Sequence, residues 1–153
     1  FRVTCWLQPG EILDLGNREI EVLLTPGHTK TSVMLYDAAM PALFTGDFLY
    51  PGGLLVESLQ EYRQTLTTLL ARMPKNVTIY PAHNGRGRKI TTLAYSDLSD
   101  LHTAVCGALD GTVKGKPANA FGGIPSMAYP VNKRLNMFVL KWPRSPSELQ
   151  SKQ

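Results

Sequence analysis

The chain has 153 residues, a formal net charge of +4, and 43% hydrophobic against 18% charged residues. That is one domain's worth of sequence with enough apolar content for a buried core, which excludes a disordered tail. Its apolar stretches fall short of the roughly 20 residues a membrane-spanning helix needs, and no basic-then-apolar start resembles a signal peptide. The two cysteines, Cys5 and Cys106, stand far apart without C-x-x-C spacing. Neither a disulfide framework nor a thiolate zinc site is suggested, and a reduced, cytoplasmic protein is the expectation.

Taken in chain order, residues 1–7 are strand-like and Pro9-Gly10 makes a turn. Residues 12–17 read as a short strand closing on a Gly-Asn hairpin turn. Residues 19–24 alternate, with Ile20, Val22 and Leu24 on one face. Residues 32–37 are the next strand candidate, and 42–45 and 77–80 are short and nearly all apolar, as strands buried on both faces are. Between these last two, Ser58-Leu59-Gln60-Glu61 has the form of a capping box. Leu59, Tyr62, Leu66, Leu69, Leu70 and Met73 then recur at helical spacing until Pro74 stops the run. A second helix is expected over 97–109, with Leu98, Leu101, Val105, Ala108 and Leu109 on one side and Gly111 as its stop. Residues 111–130 have no periodicity and read as a long surface loop. Residues 137–142 form a last strand, and 143–153 a flexible tail. Helices packed on a mixed sheet follow, an α/β (α+β) fold.

Three segments share one design: an apolar run, a turn flanked by Gly or Pro, then a side chain able to bind metal. They are Thr25-Pro26-Gly27-His28-Thr29, Phe44-Thr45-Gly46-Asp47 and Tyr80-Pro81-Ala82-His83-Asn84. The chain has three histidines, and two of them lie here. Imidazole nitrogen and carboxylate together suit zinc, manganese or iron. Glycine ahead of His28 and Asp47 lets backbone approach the site closely, and Thr29 and Asn84 stand where they could support the ligands. Each signal also has a plainer reading as a turn residue, and their joint occurrence argues for a metal. Tyr50 could reach a substrate or simply pack. His102 lies mid-helix between apolar positions, without a partner noted at four-residue spacing, and reads as structural.

Arg86-Gly87-Arg88-Lys89 and Lys133-Arg134 are the densest basic runs. They are either solvated loop charges or the rim of a site that attracts an anionic substrate. Stacking aromatics are not interleaved with them, which speaks against nucleic acid.

The three motifs together resemble the third, fourth and fifth motifs of the metallo-β-lactamase-fold hydrolases, nearest their glyoxalase II and acyl-thioester hydrolase branch. The resemblance is firm over residues 12–85. It implies an αββα sandwich to which residues 1–142 contribute mainly the C-terminal half. It also implies two divalent metal ions, zinc first, with iron and manganese as alternatives. His28 would bind the first ion, Asp47 would bridge both, and His83 would bind the second. A metal-bridging hydroxide, oriented by Asp47, would attack a thioester or related ester. Arg86, Arg88, Lys133 and Arg134 would grip an anionic carrier such as glutathione or coenzyme A. The family's His-x-His-x-Asp-His motif does not occur in these residues. The expectation is therefore a C-terminal half whose N-terminal half, or a homodimer partner, completes it. The competing expectation is a catalytically incomplete module that acts in binding or assembly.

Overall fold

The computed structural model describes residues 2–85, 91–120 and 123–140. In chain order the described elements are β1 (Ile12–Asp14), β2 (Glu19–Leu24), β3 (Val33–Asp37), β4 (Ala42–Gly46), β5 (Gly52–Val56), α1 (Leu59–Arg72), β6 (Thr78–Pro81), β7 (Leu93–Ala94), α2 (Tyr95–Asp110), β8 (Lys116–Ala120), β9 (Ile124–Pro130) and β10 (Leu135–Leu140). One sheet runs β1-β2-β3-β4-β6-β7, and a second runs β5-β10-β9-β8. Strands β1 to β4 are antiparallel neighbours, whereas β4 and β6 lie parallel because α1 carries the chain back between them.

Both helices begin and end where local chemistry directs. Ser58 caps α1, its Oγ accepting the Glu61 N–H at 3.3 Å. Helix α2 starts two residues earlier than the periodicity suggests. The Asp97 carboxylate explains the gain, since it accepts the Ala94 N–H at 2.9 Å and satisfies a first-turn donor. Gly111, at φ 79°, ends α2 in the left-handed conformation. The helices touch along their lengths, with the Tyr95 hydroxyl donating to the Leu70 carbonyl at 2.7 Å.

Alternation along the strands sorts the sheet into two faces. Leu23, Met34, Tyr36, Leu43 and Ile79 enter one core with Leu66, Leu69, Leu98 and Leu101 of the helices, and with Leu54, Val56, Leu135 and Met137 of the second sheet. The opposite face carries a cross-strand row of Val22, Leu35, Phe44 and Tyr80. At its end Phe44 and Tyr80 stack with centroids 5.3 Å apart and stay 43% and 41% exposed. Leu24 shares this face with Ile20 and Val22 as expected, yet it is exposed, whereas its neighbour Leu23 is buried on the core side.

Two expectations change, and one strand is added. Of the strand expected over 1–7, the described residues 2–7 are not in a strand, and Trp6 stands 79% exposed. The 111–130 loop contains β8 and β9, paired from Lys116↔Ala128 to Ala120↔Ile124. Strand β5 had no signature at all, because two glycines open it. It forms because β10 supplies a parallel partner, and because Gly53 leaves room for Phe138, whose ring atom Cε2 lies 2.7 Å from where a Cβ would stand. The expected tail at 143–153 lies outside the described residues.

Candidate functional site

The turn after β2 is clamped to the start of α1. Gly27 has φ +134°, and a Cβ there would fall 2.5 Å from the Tyr62 Cα. Its carbonyl accepts the N–H groups of Glu57 and Ser58 at 2.9 and 3.1 Å, and the Thr65 hydroxyl donates to the Pro26 carbonyl at 2.7 Å. The glycine therefore serves close approach between the turn and the helix backbone, not between the backbone and the site. His28 leaves this turn half-buried, with Nδ1 2.8 Å from the Leu55 carbonyl. Thr29 ties the turn down through Ser32, hydroxyl to hydroxyl at 2.8 Å.

Asp47 follows β4 directly. The β4–β6 register shifts between Phe44 and Gly46, and Gly46 adopts φ +54°. A register irregularity of this kind re-aims the residue beyond it. His83 lies two residues past the end of β6, whose tip is tied to β4 by the Ala82 N–H and the Gly46 carbonyl at 3.3 Å. The two parallel strands thus deliver both side chains to one end of the sheet. His83 Nε2 stands 3.1 Å from Asp47 Oδ1, with the two side chains 48% and 54% exposed. The Asn84 carbonyl lies 3.3 Å from His83 Nδ1.

Tyr50 packs beneath this pair. Its ring centroid is 4.2 Å from that of His83, and its hydroxyl donates to the Gly53 carbonyl at 2.5 Å. Burial, then the Asp47 charge, push its phenol up to about 12, so it stays protonated. Packing is the role the structure gives it.

The remaining candidates separate. Arg86 and Arg88 lie outside the described residues. The Arg134 guanidinium is paired with the buried Asp97 carboxylate at 2.5 Å, which in turn takes an N–H from the Asn132 amide at 3.3 Å. This network joins α2 to the β9–β10 turn. Lys133 precedes Arg134 in that same turn. His102 does have a neighbour at four-residue spacing: Cys106 Sγ is 3.7 Å from its Nε2, and the Thr67 hydroxyl of α1 is 3.1 Å from the same atom. The helical spacing was visible in the sequence; the Thr67 contact required the α1–α2 packing.

Among the described residues, no group of three or more His, Cys, Asp or Glu side chains is gathered as a metal site. The structure joins Asp47 to His83 and holds His28 against β5. An imidazole and a carboxylate facing each other at this distance are a suitable donor pair for a divalent cation. Two donors remain below the three or four that zinc sites use. The fit is that of part of a site.

The sequence profile described as the metallo-beta-lactamase superfamily matches residues 5–83, more than half of the chain. The hydroxyacylglutathione hydrolase of Nostoc sp. is 29% identical over 151 residues, covering 94% of this chain and 57% of that protein. The human acyl-coenzyme A thioesterase MBLAC2 is 30% identical over 86 residues, covering 52% of this chain and 31% of that protein. Among solved structures, ETHE1 from Myxococcus xanthus superposes with a TM-score of 0.54 at 26% identity, over 66% of this chain and 45% of that one. The chain thus spans little more than half the length of the Nostoc relative and about a third of the human one.

Proposed function

Since the chain belongs to the metallo-beta-lactamase superfamily, we propose that it forms part of a metal-dependent hydrolase that cleaves a thioester or a related ester. The observation that carries this reading is the 3.1 Å contact of His83 with Asp47 at the ends of two paired strands. The hydrolase and thioesterase names of the relatives support the substrate class. Zinc is the first choice of metal, as two ions, with iron and manganese as alternatives.

A bound divalent cation supplies Lewis acidity, drawing the pKa of water toward neutrality and polarising a carbonyl oxygen. The residues of this chain hold and orient. His83 and Asp47 offer one nitrogen and a carboxylate already in register, and the second carboxylate oxygen gives Asp47 the capacity to bridge. His28, fixed through Nδ1, keeps Nε2 as its donor atom. Thiolate is a good leaving group, so no general acid is required of the chain. Arg86, Arg88 and Lys133 remain candidates for gripping an anionic thiol carrier. If one of them does, removing its charge raises KM with kcat little changed, and unchanged kinetics exclude it. Arg134 is placed differently, with its guanidinium on Asp97.

Metal analysis of the purified protein, together with hydrolysis of a glutathione thioester and an acyl-coenzyme A, tests the reading. Asp47→Asn and His83→Ala should each lower metal affinity beyond the roughly 10–100-fold that loss of a mere supporting partner costs. Protein that retains no metal and cleaves neither ester when zinc is supplied would falsify it.

One observation favours a second reading, that of an assembly module. The Phe44–Tyr80 end of the apolar row faces outward on a sheet that buries its other side. Exposed apolar patches mark interaction sites. The N-terminal half of such a domain, or a second copy of the chain, is the partner this reading requires. Where a second copy is the partner, Phe44→Lys should reduce self-association in sedimentation without loss of helix signal; an unaltered monomeric profile in both proteins removes the second copy as that partner.

A further inference from the structure

Both histidines of the candidate site are referred to the same short stretch of chain, residues 50–55. Toward His28, the Leu55 carbonyl of β5 stands 2.8 Å from Nδ1. A carbonyl oxygen only accepts, so Nδ1 carries the proton and Nε2 of the neutral ring holds the lone pair. Toward His83, the contact is made by backbone. The Gly85 N–H donates to the Pro51 carbonyl at 2.6 Å. The two chains also meet glycine to glycine: a Cβ on Gly52 would stand 2.8 Å from the Gly85 Cα, and a Cβ on Gly85 would stand 2.9 Å from the Gly52 Cα. Gly52 sits at φ +136°, a conformation side chains rarely adopt. Tyr50 adds its ring against the His83 imidazole, and its hydroxyl is held by the Gly53 carbonyl.

The segment is itself anchored from behind. The Gly52 N–H donates to the Arg134 carbonyl at 2.9 Å, and β5 pairs in parallel with β10 from Gly52↔Leu135 onward. Arg134 is fixed by Asp97 at the start of α2. The second sheet therefore contributes no ligand-type side chain to the site yet sets the reference frame for two of them.

We propose that residues 50–55 are the positioning template of the site, with the Gly52/Gly85 backbone contact registering His83 and the Leu55 carbonyl selecting Nε2 as the donor atom of His28. These are positioning groups: they act through the histidines and touch no substrate. The geometry stands without a metal, whereas its consequence for metal binding rests on the hydrolase reading above. Substitution of Gly85 by alanine inserts a methyl into a backbone contact that has no flexible side chain to yield, so the His83 loop must move.

Long-range proton–nitrogen NMR of the imidazoles in metal-free protein at mildly alkaline pH reads both halves. In the wild-type protein, His28 shows the Nδ1–H tautomer, and an NOE links the Tyr50 ring to His83. An Nε2–H tautomer, or absence of that NOE, overturns the proposal. Gly85→Ala shifts the His83 ring signals, removes the NOE, and weakens cobalt binding about tenfold or more, while the His28 tautomer persists. Gly16→Ala is the control. Gly16, unlike Gly85, has positive φ, +92°, with nothing within 4 Å of its added Cβ, so it loses stability through backbone strain alone and leaves the His83 signals in place. If Gly85→Ala leaves them in place too, the template idea fails. Because the wild-type tautomer and NOE are read on unmodified protein, a variant that does not fold leaves the test intact. Should the tautomer and NOE hold while wild-type protein binds no cobalt, the template stands and the hydrolase reading falls.

Discussion

Replacing Gly27 by alanine probes the joint on which the first histidine depends. Two costs combine. An L-residue at φ +134° occupies a region that costs about 1–3 kcal/mol. The new Cβ would also lie 2.5 Å from the Tyr62 Cα and 2.7 Å from its nitrogen, both backbone atoms in the first turn of α1. Relief requires moving either the helix start or the turn, and overpacking of that kind costs about 1–3 kcal/mol. The two N–H bonds to the Gly27 carbonyl resist the movement. The sum, about 4 kcal/mol, is a large part of the 5–15 kcal/mol by which domains are stable. For a chain of this length it corresponds to a fall in Tm of about 8–16 °C. Urea denaturation followed by far-UV circular dichroism measures it. Gly16→Ala serves again as comparison, since it carries the strain without the contact. A loss below about 1 kcal/mol for Gly27→Ala, or one equal to that of Gly16→Ala, refutes the claim that the turn is packed backbone to backbone on α1.

Other outcomes follow from the same contacts. Arg134→Met leaves the Asp97 carboxylate, 1% exposed, without its countercharge; allowing for a guanidinium that is partly in water, the loss is about 1–3 kcal/mol in chemical denaturation. Adding Asp97→Asn should recover part of it, and strictly additive losses would argue against a coupled pair. Tyr62 is fully buried, its hydroxyl donates to the Phe48 carbonyl, and burial followed by the Tyr50 neighbour holds its phenol well above the ordinary value. Its folded pKa exceeds the unfolded one, so the contribution is complete below pH about 10 and is lost as pH rises beyond that. Tyr62→Phe should flatten the alkaline decline in stability; an unchanged slope excludes Tyr62 as its source.

Much of the molecule could be read from local pattern. The capped, periodic run from Ser58 to Met73 became α1, and Gly111 ended α2 as its place beyond the last apolar residue suggested. The three site motifs were legible because each combines a buried strand with a turn residue and a side chain of recognisable chemistry. Strand β5 and the β8–β9 pair were not, since Gly- and Pro-rich segments have no pattern of their own and become strands only when a partner supplies their hydrogen bonds. Residues 2–7 erred the other way: strand-like composition without a partner strand remains irregular.

By itself the sequence determined the family and the helices and put forward His28, Asp47 and His83 as candidates, because those rest on side-chain type and short-range spacing. Tertiary structure alone decided that Asp47 meets His83 across a shifted register, that Arg134 turns to Asp97, that the Leu55 carbonyl faces His28, and that Gly52 packs on Gly85. These contacts run through backbone carbonyls, glycine surfaces and strand register. Such groups carry no side-chain signature, and they acquire meaning only when distant segments are brought within a few ångströms of one another.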